Sequence, residues 1–208
     1  MKFYQKLNVS ILSEIQKEVL DFFEKNPDLI NVNATREYFV QMDFNNFPLL
    51  KSFIIPRTMT KVVETSVCFL PGNDKLRIHI DGLKKDNGRV PDGVAIANQF
   101  VLIIPISNTL ESINYWYDNN MVGDGDENIV NRVRPEPPYD FYVSFANDNL
   151  DLKPVENTII DKMTFIRSNI YHNVENTSNN TRIVFIIRFH EEPNFLELDS
   201  VFSFRDLT

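Results

Sequence analysis

From Val62 to Phe189 the chain is cut into short extended runs, and no long helical stretch separates them. The runs are Val62–Leu70, Lys75–Ile80, Gln99–Ile106, Ser112–Tyr117, Asp140–Phe145, Met163–His172 and Arg182–Phe189. Between them lie turn-forming clusters such as Pro71-Gly72-Asn73-Asp74, Asp86-Asn87-Gly88, Asp118-Asn119-Asn120 and Asn147-Asp148-Asn149. Short strands at regular spacing with Asn, Asp, Gly and Pro at their ends predict an all-β barrel or sandwich.

The sequence before this region has a different period. Ile11, Ile15, Val19 and Phe22-Phe23 recur at helical spacing against Glu14, Lys17, Glu18 and Lys25, which predicts an amphipathic helix over Ile11–Glu24. Ser10 or Ser13 is the expected N-cap, and Asn26-Pro27-Asp28 the stop. A second amphipathic helix is predicted over Phe47–Ile55. Both helices are expected to pack on the outside of the β structure. The 208 residues read as one domain, with a helical part over 1–58, a β core over 60–190 and a tail over 191–208.

With 43% hydrophobic residues and 17 Phe, the chain can fill a core of that size. Its net charge of -8 repels phosphate backbones and disfavours nucleic acid as a partner. No apolar run is long enough for a membrane span, and Met1–Lys6 is followed by no signal-peptide core. One cysteine, Cys68 in Val67-Cys68-Phe69-Leu70, forms no intrachain disulfide and reads as a small buried apolar residue. These features lead us to expect a cytoplasmic protein without membrane attachment.

The chemistry concentrates in Leu76-Arg77-Ile78-His79-Ile80-Asp81-Gly82. Strand alternation puts Leu76, Ile78 and Ile80 on one face and Arg77, His79 and Asp81 on the other. An imidazole and a carboxylate side by side at a strand end hold a divalent ion from one side. His172, in Tyr171-His172-Asn173-Val174-Glu175-Asn176, is the best candidate for a third ligand. Two His and one Asp suit Fe(II) with an open face, and the lack of thiolates argues against a closed zinc site. Arg182 heads the apolar run Ile183–Ile187, where a guanidinium is costly to bury without an anion. Its planar fork matches a carboxylate. Fe(II) with one Asp is +1, Arg182 adds +1, and a dicarboxylate balances both.

Val67-Cys68-Phe69-Leu70-Pro71-Gly72, His79-Ile80-Asp81-Gly82, Ile104-Pro105-Ile106 and His172-Asn173-Val174-Glu175-Asn176 with the following Arg182 resemble the Fe(II)/2-oxoglutarate-dependent oxygenases, in their aspartyl/asparaginyl β-hydroxylase-like branch. The resemblance covers roughly 62–189. It implies a mainly β fold with N-terminal helices, a double-stranded β-helix of the jelly-roll, cupin-like kind. It implies that His79, Asp81 and His172 bind Fe(II) and that Arg182 binds the C5 carboxylate of 2-oxoglutarate. With O2, 2-oxoglutarate would be decarboxylated to succinate and an unactivated C–H bond hydroxylated. The implied substrate is an amino-acid side chain in a peptide or protein. A free amino acid or other small molecule, or a non-catalytic metal- or small-acid-binding module, stand as alternatives.

Other readings stay open beside these. Arg188 shares the strand parity of Arg182 and is the rival carboxylate binder. The branch often carries a basic residue or His in the strand leading to its Pro-Leu pair, whereas Phe100–Ile106 is wholly apolar. Asn98, Gln99 or Ser107 are the remaining candidates for a second contact to the co-substrate. Trp116, between Tyr115 and Tyr117, reads as core before pocket, and His190 as exposed. Residues 121–138, polar and proline-rich, read as a long loop, either a substrate cover or a solvated insertion. Arg77 is unassigned.

Overall fold

The computed structural model describes residues 3–31, 34–58, 62–81, 100–118, 129–136, 139–148 and 150–189, of which 63, 129–136, 139–142 and 144 are described by their backbone. The strands are β1 (Tyr4–Lys6), β2 (Tyr38–Gln41), β3 (Val62–Leu70), β4 (Asp74–Lys75), β5 (His79–Asp81), β6 (Phe100–Ser107), β7 (Ser112–Tyr117), β8 (Ile129–Glu136), β9 (Tyr139–Ala146), β10 (Pro154–Ile159), β11 (Thr164–Arg167), β12 (His172–Asn176) and β13 (Arg182–Phe189). Two helices, α1 (Leu12–Lys25) and α2 (Pro48–Thr58), precede β3, together with short 3-10 turns at Pro27–Leu29 and Phe44–Asn46.

These strands form two antiparallel sheets. The first runs β1-β11-β6-β13-β3-β2 and the second β10-β7-β12-β5-β9-β8, with β4 also paired to β12. Apart from the β2–β3 and β8–β9 pairs, neighbours in both sheets are far apart in the chain, the signature of a jelly roll, the expected fold class.

The alternation of β13 explains the layering. Phe185, Ile187 and Phe189 join Leu102, Ile104 and Phe165 on the outer face of the first sheet, buried under Ile15, Val19 and Phe23 of α1 and Leu50, Phe53 and Ile54 of α2. The intervening residues Arg182, Val184, Ile186 and Arg188 face a cavity that the second sheet also lines. Rings lock the helical layer onto the sheet: Phe47 packs on Phe185 at 5.0 Å and Phe23 on Phe69 at 5.3 Å between centroids. Glu18 of α1 accepts from the Leu49 and Leu50 amides at 2.8 and 3.0 Å, so one helix caps the other's positive end.

Several local expectations are corrected. Neither Ser10 nor Ser13 caps α1; Ile11 takes that position without a side-chain bond, and the Ser13 hydroxyl donates to Glu14. The run read as one strand over Met163–His172 is two. Residues Thr164–Arg167 pair with β6 in the first sheet, while His172 pairs with β7 and β5 in the second, so the chain changes sheet between them. The run Lys75–Ile80 likewise divides into β4 and β5.

The segment read as a loop over 121–138 contains β8, paired to β9 from Ile129↔Ala146 to Glu136↔Tyr139. An edge strand tolerates Pro135 because one of its sides has no ladder to complete. Strand β10 and the N-terminal strands β1 and β2 add edges that the sequence reading omitted, so residues 1–58 are not helical alone.

Candidate functional site

His79 and His172 are directly opposed in the β5–β12 ladder. Opposed residues bring their side chains together on one face, and here the ring centroids are 4.5 Å apart. The same device orients both rings. Nδ1 of His79 lies 2.7 Å from the Arg77 carbonyl oxygen, and Nδ1 of His172 lies 2.8 Å from that of Ile170. A carbonyl only accepts, so each Nδ1 carries the hydrogen and each Nε2 presents its lone pair. Asp81 points the same way from β5, its Oδ1 4.0 Å from His79 Nε2. Its amide donates to the Ser168 carbonyl at 2.8 Å, fixing the strand end.

The three expected ligands are therefore neighbours, with donor chemistry that fits a divalent ion. Burial pushes the His172 imidazole down against the pull of Asp81, which favours its neutral form. Burial pushes the Asp81 carboxyl up, but Arg188, His79 and His172 outweigh it and hold that group below its ordinary value. Among the described residues no three His, Cys, Asp or Glu side chains stand in ligating geometry. The second oxygen of Asp81 is engaged elsewhere: Oδ2 accepts from Arg188 at 3.1 Å, and the same guanidinium donates to Glu64 Oε1 at 3.0 Å.

Arg182 lies at the other end of β13 and is only 2% exposed. Its Nε has no hydrogen-bond partner among the described residues. Burial depresses this guanidinium, and among the described residues only Cys68 opposes the shift. Arg182 thus faces the cavity as a buried cation without an acidic partner among the described residues. Cys68, Val101, Ile103, Val184 and Ile186 give that cavity apolar wall, and Glu37, Glu64 and Asn114 line it as well. The space, open mouth included, is about 830 Å³.

The strand carrying Arg182 is held by Asn176, which is fully buried. Its Nδ2 lies 3.1, 2.9 and 2.8 Å from the carbonyl oxygens of Leu70, Pro71 and Asn180, and its Oδ1 accepts from the Ser112 and Ser178 hydroxyls. Gly72 completes the junction. A Cβ there would stand 2.4 Å from the Asn179 carbonyl carbon. Pro71-Gly72 and Asn176, read as separate motifs in the sequence, are two halves of one contact.

Sequence reasoning passed over Glu64. Its signal was parity: Glu64, Ser66 and Cys68 alternate along β3, and Glu64 and Cys68 both line the cavity. Arg188, the rival to Arg182, is engaged by two acids. Arg77 pairs with Asp148 at 3.0 Å. Trp116 is fully buried core, its indole donating to the Arg167 carbonyl and its ring 5.4 Å from Tyr4. Ser107 ends β6 opposite Ile183. Gly82, Asn98, Gln99, residues 119–128 and His190 lie outside the described residues. No described helix is long and apolar enough to cross a membrane.

No family model matches the sequence, and a comparison with curated proteins finds no match. Solved structures do match. SnoK, a non-heme α-ketoglutarate-dependent carbocyclase from nogalamycin biosynthesis, aligns with a TM-score of 0.50 at 12% identity over 89% of this chain and 79% of its own. CapF in complex with 3-isopropenyl-tropolone aligns at 0.34 and 12% identity, over 82% of this chain and 32% of its own. Lactobacillus farciminis oxalate decarboxylase aligns at 0.35 and 7% identity, over 81% and 33%. The chain spans about a third of the length of these last two. At such identity the SnoK likeness shows a common fold.

Proposed function

We propose that this protein is an Fe(II)- and 2-oxoglutarate-dependent oxygenase that hydroxylates an unactivated C–H bond. The observation that carries the reading is one cavity holding both halves of the chemistry. His79, Asp81 and His172 line it on the second sheet, and Arg182, which has no acidic partner among the described residues, lines it on the first. His79 and His172 would give their Nε2 lone pairs to iron and Asp81 a carboxylate oxygen. Arg182 would take the far carboxylate of 2-oxoglutarate, relieving a buried charge that has no counter-ion among the described residues. Iron with 2-oxoglutarate and O2 supplies the oxidising chemistry when bound. The chain's own part is to orient these groups, neutralise charge and keep the apolar wall of Val101, Ile103, Val184 and Ile186 around the reacting centre. The family resemblance of the motifs extends the proposal to an amino-acid side chain in a peptide or protein as substrate, in the cytoplasm.

A second reading is a small-acid-binding jelly roll without turnover. The hold of Arg188 on Asp81 favours it. One experiment separates the two. Purified protein with Fe(II), ascorbate and 2-oxoglutarate is assayed for succinate across free amino acids and a peptide library. The oxygenase makes succinate, His172→Ala reduces it to background, and Arg182→Ala raises the 2-oxoglutarate concentration required. Binding of 2-oxoglutarate with no succinate under any condition establishes the second reading instead.

A further inference from the structure

The contact between Arg188 and Asp81 poses a problem that Glu64 solves. A guanidinium 3.1 Å from a metal-binding carboxylate draws charge away from it and repels an incoming cation. Glu64 lies 3.0 Å from the same guanidinium, on the strand paired to β13, with Arg188 opposite Glu64 in the ladder. All three side chains are largely buried, at 12% for Arg188 and Glu64 and 8% for Asp81, so solvent screens them little. The fork is divided: Nη1 to Glu64 and Nη2 to Asp81 Oδ2. Asp81 Oδ1 is left on the side of His79.

We propose that Glu64 and Arg188 are a charge-compensated pair of positioning residues for the metal site. Arg188 ties down one oxygen of Asp81 so that the other is the single ligating atom. Glu64 cancels the charge of Arg188 so that Asp81 keeps its full negative charge for the metal. The sign of this proposal is testable. Neutralising Glu64 alone removes one of the two carboxylates on Arg188, which tightens its hold on Asp81 and repels a cation. Neutralising both removes the obstacle together with its compensation.

The proposal rests on the metal-site reading above, and the test is metal binding without turnover. Co(II) is titrated into the full chain under argon and followed by its visible absorption and by calorimetry. Glu64→Gln, which keeps shape and hydrogen-bonding reach, is expected to weaken Co(II) binding by about tenfold or more, in the range found for outer-shell partners of metal ligands. The double variant Glu64→Gln/Arg188→Gln is expected to recover most of that loss. A purely structural role for the pair predicts the opposite order, with the double variant worse than the single. Far-UV circular dichroism on each variant separates misfolding from lost affinity, and recovery in the double variant itself requires a folded chain. Unchanged Co(II) affinity and spectrum in Glu64→Gln, or no recovery in the double variant, overturns the pair's role and leaves the oxygenase reading standing. Failure of the wild-type chain to bind Co(II) overturns both.

Discussion

The two ends of β13 carry the same residue in opposite circumstances. Arg188 sits between two carboxylates, within 3.1 Å of each. Arg182 is buried more deeply, at 2% exposure, and forms no ion pair among the described residues. A buried cation with its anions in place is part of the fold. A buried cation without them is a cost that folding alone does not explain. The contrast shows that chain parity puts an arginine in a cavity, while the neighbouring strand decides whether it is already satisfied.

The largest expected effect tests that contrast by opposite signs. Arg188→Met leaves Asp81 and Glu64 buried without their shared cation and is expected to destabilise by about 3–5 kcal/mol. Arg182→Met replaces a charge without an ion pair among the described residues by an apolar chain of similar volume and is expected to be neutral or to stabilise the ligand-free protein by about 1–4 kcal/mol. Urea unfolding of both variants decides it; equal losses at the two ends would break the comparison.

The next effect sharpens it. The Arg182 end is anchored by neutral hydrogen bonds through Asn176 and by the close approach at Gly72. Gly72→Ala is expected to destabilise by about 1–3 kcal/mol through overpacking against the Asn179 backbone. Thermal unfolding measures it. A null result there means that the junction yields and that Arg182 is not held in place by it.

The smallest effect supplies an exposed pair for scale. Lys6 and Asp161 meet at 2.6 Å with side chains 32% and 39% exposed. Burial pushes the Asp161 carboxyl up, but Lys6, the Asp161 amide and Lys162 together outweigh it and hold the group below its ordinary value near 3.8. A depressed folded value means that the stabilisation is complete above the unfolded value and is lost as pH falls through the folded one. Asp161→Asn is thus expected to cost about 0.5 kcal/mol at pH 7 and progressively less as the medium is acidified, read from unfolding midpoints along a pH series.

Much of this architecture was legible in the residues. Turn clusters marked the strand ends, and alternation placed His79 and Asp81 on one face, because a pleated backbone leaves side chains no other choice. Helical spacing marked α1. What escaped was set between segments far apart in sequence. Whether Arg182 or Arg188 has acidic neighbours depends on Glu64, more than a hundred residues away and brought alongside by ladder pairing. The break between β11 and β12 escaped because both halves are apolar enough to belong to one strand, and only the choice of sheet divides them. Strand β10 escaped because an exposed edge, with Val155 52% exposed, carries little hydrophobic pattern.

The division of β13 into a phenylalanine face and an arginine face has a consequence for how this chain can change. Its two faces are interleaved one residue at a time, so a single inserted or deleted residue within it would exchange them. Guanidinium groups would meet Phe23 and Phe47, and rings would meet the histidines. Point substitution can retune the cavity one wall residue at a time. A length change inside this strand would have to come in twos, or take fold and site down together.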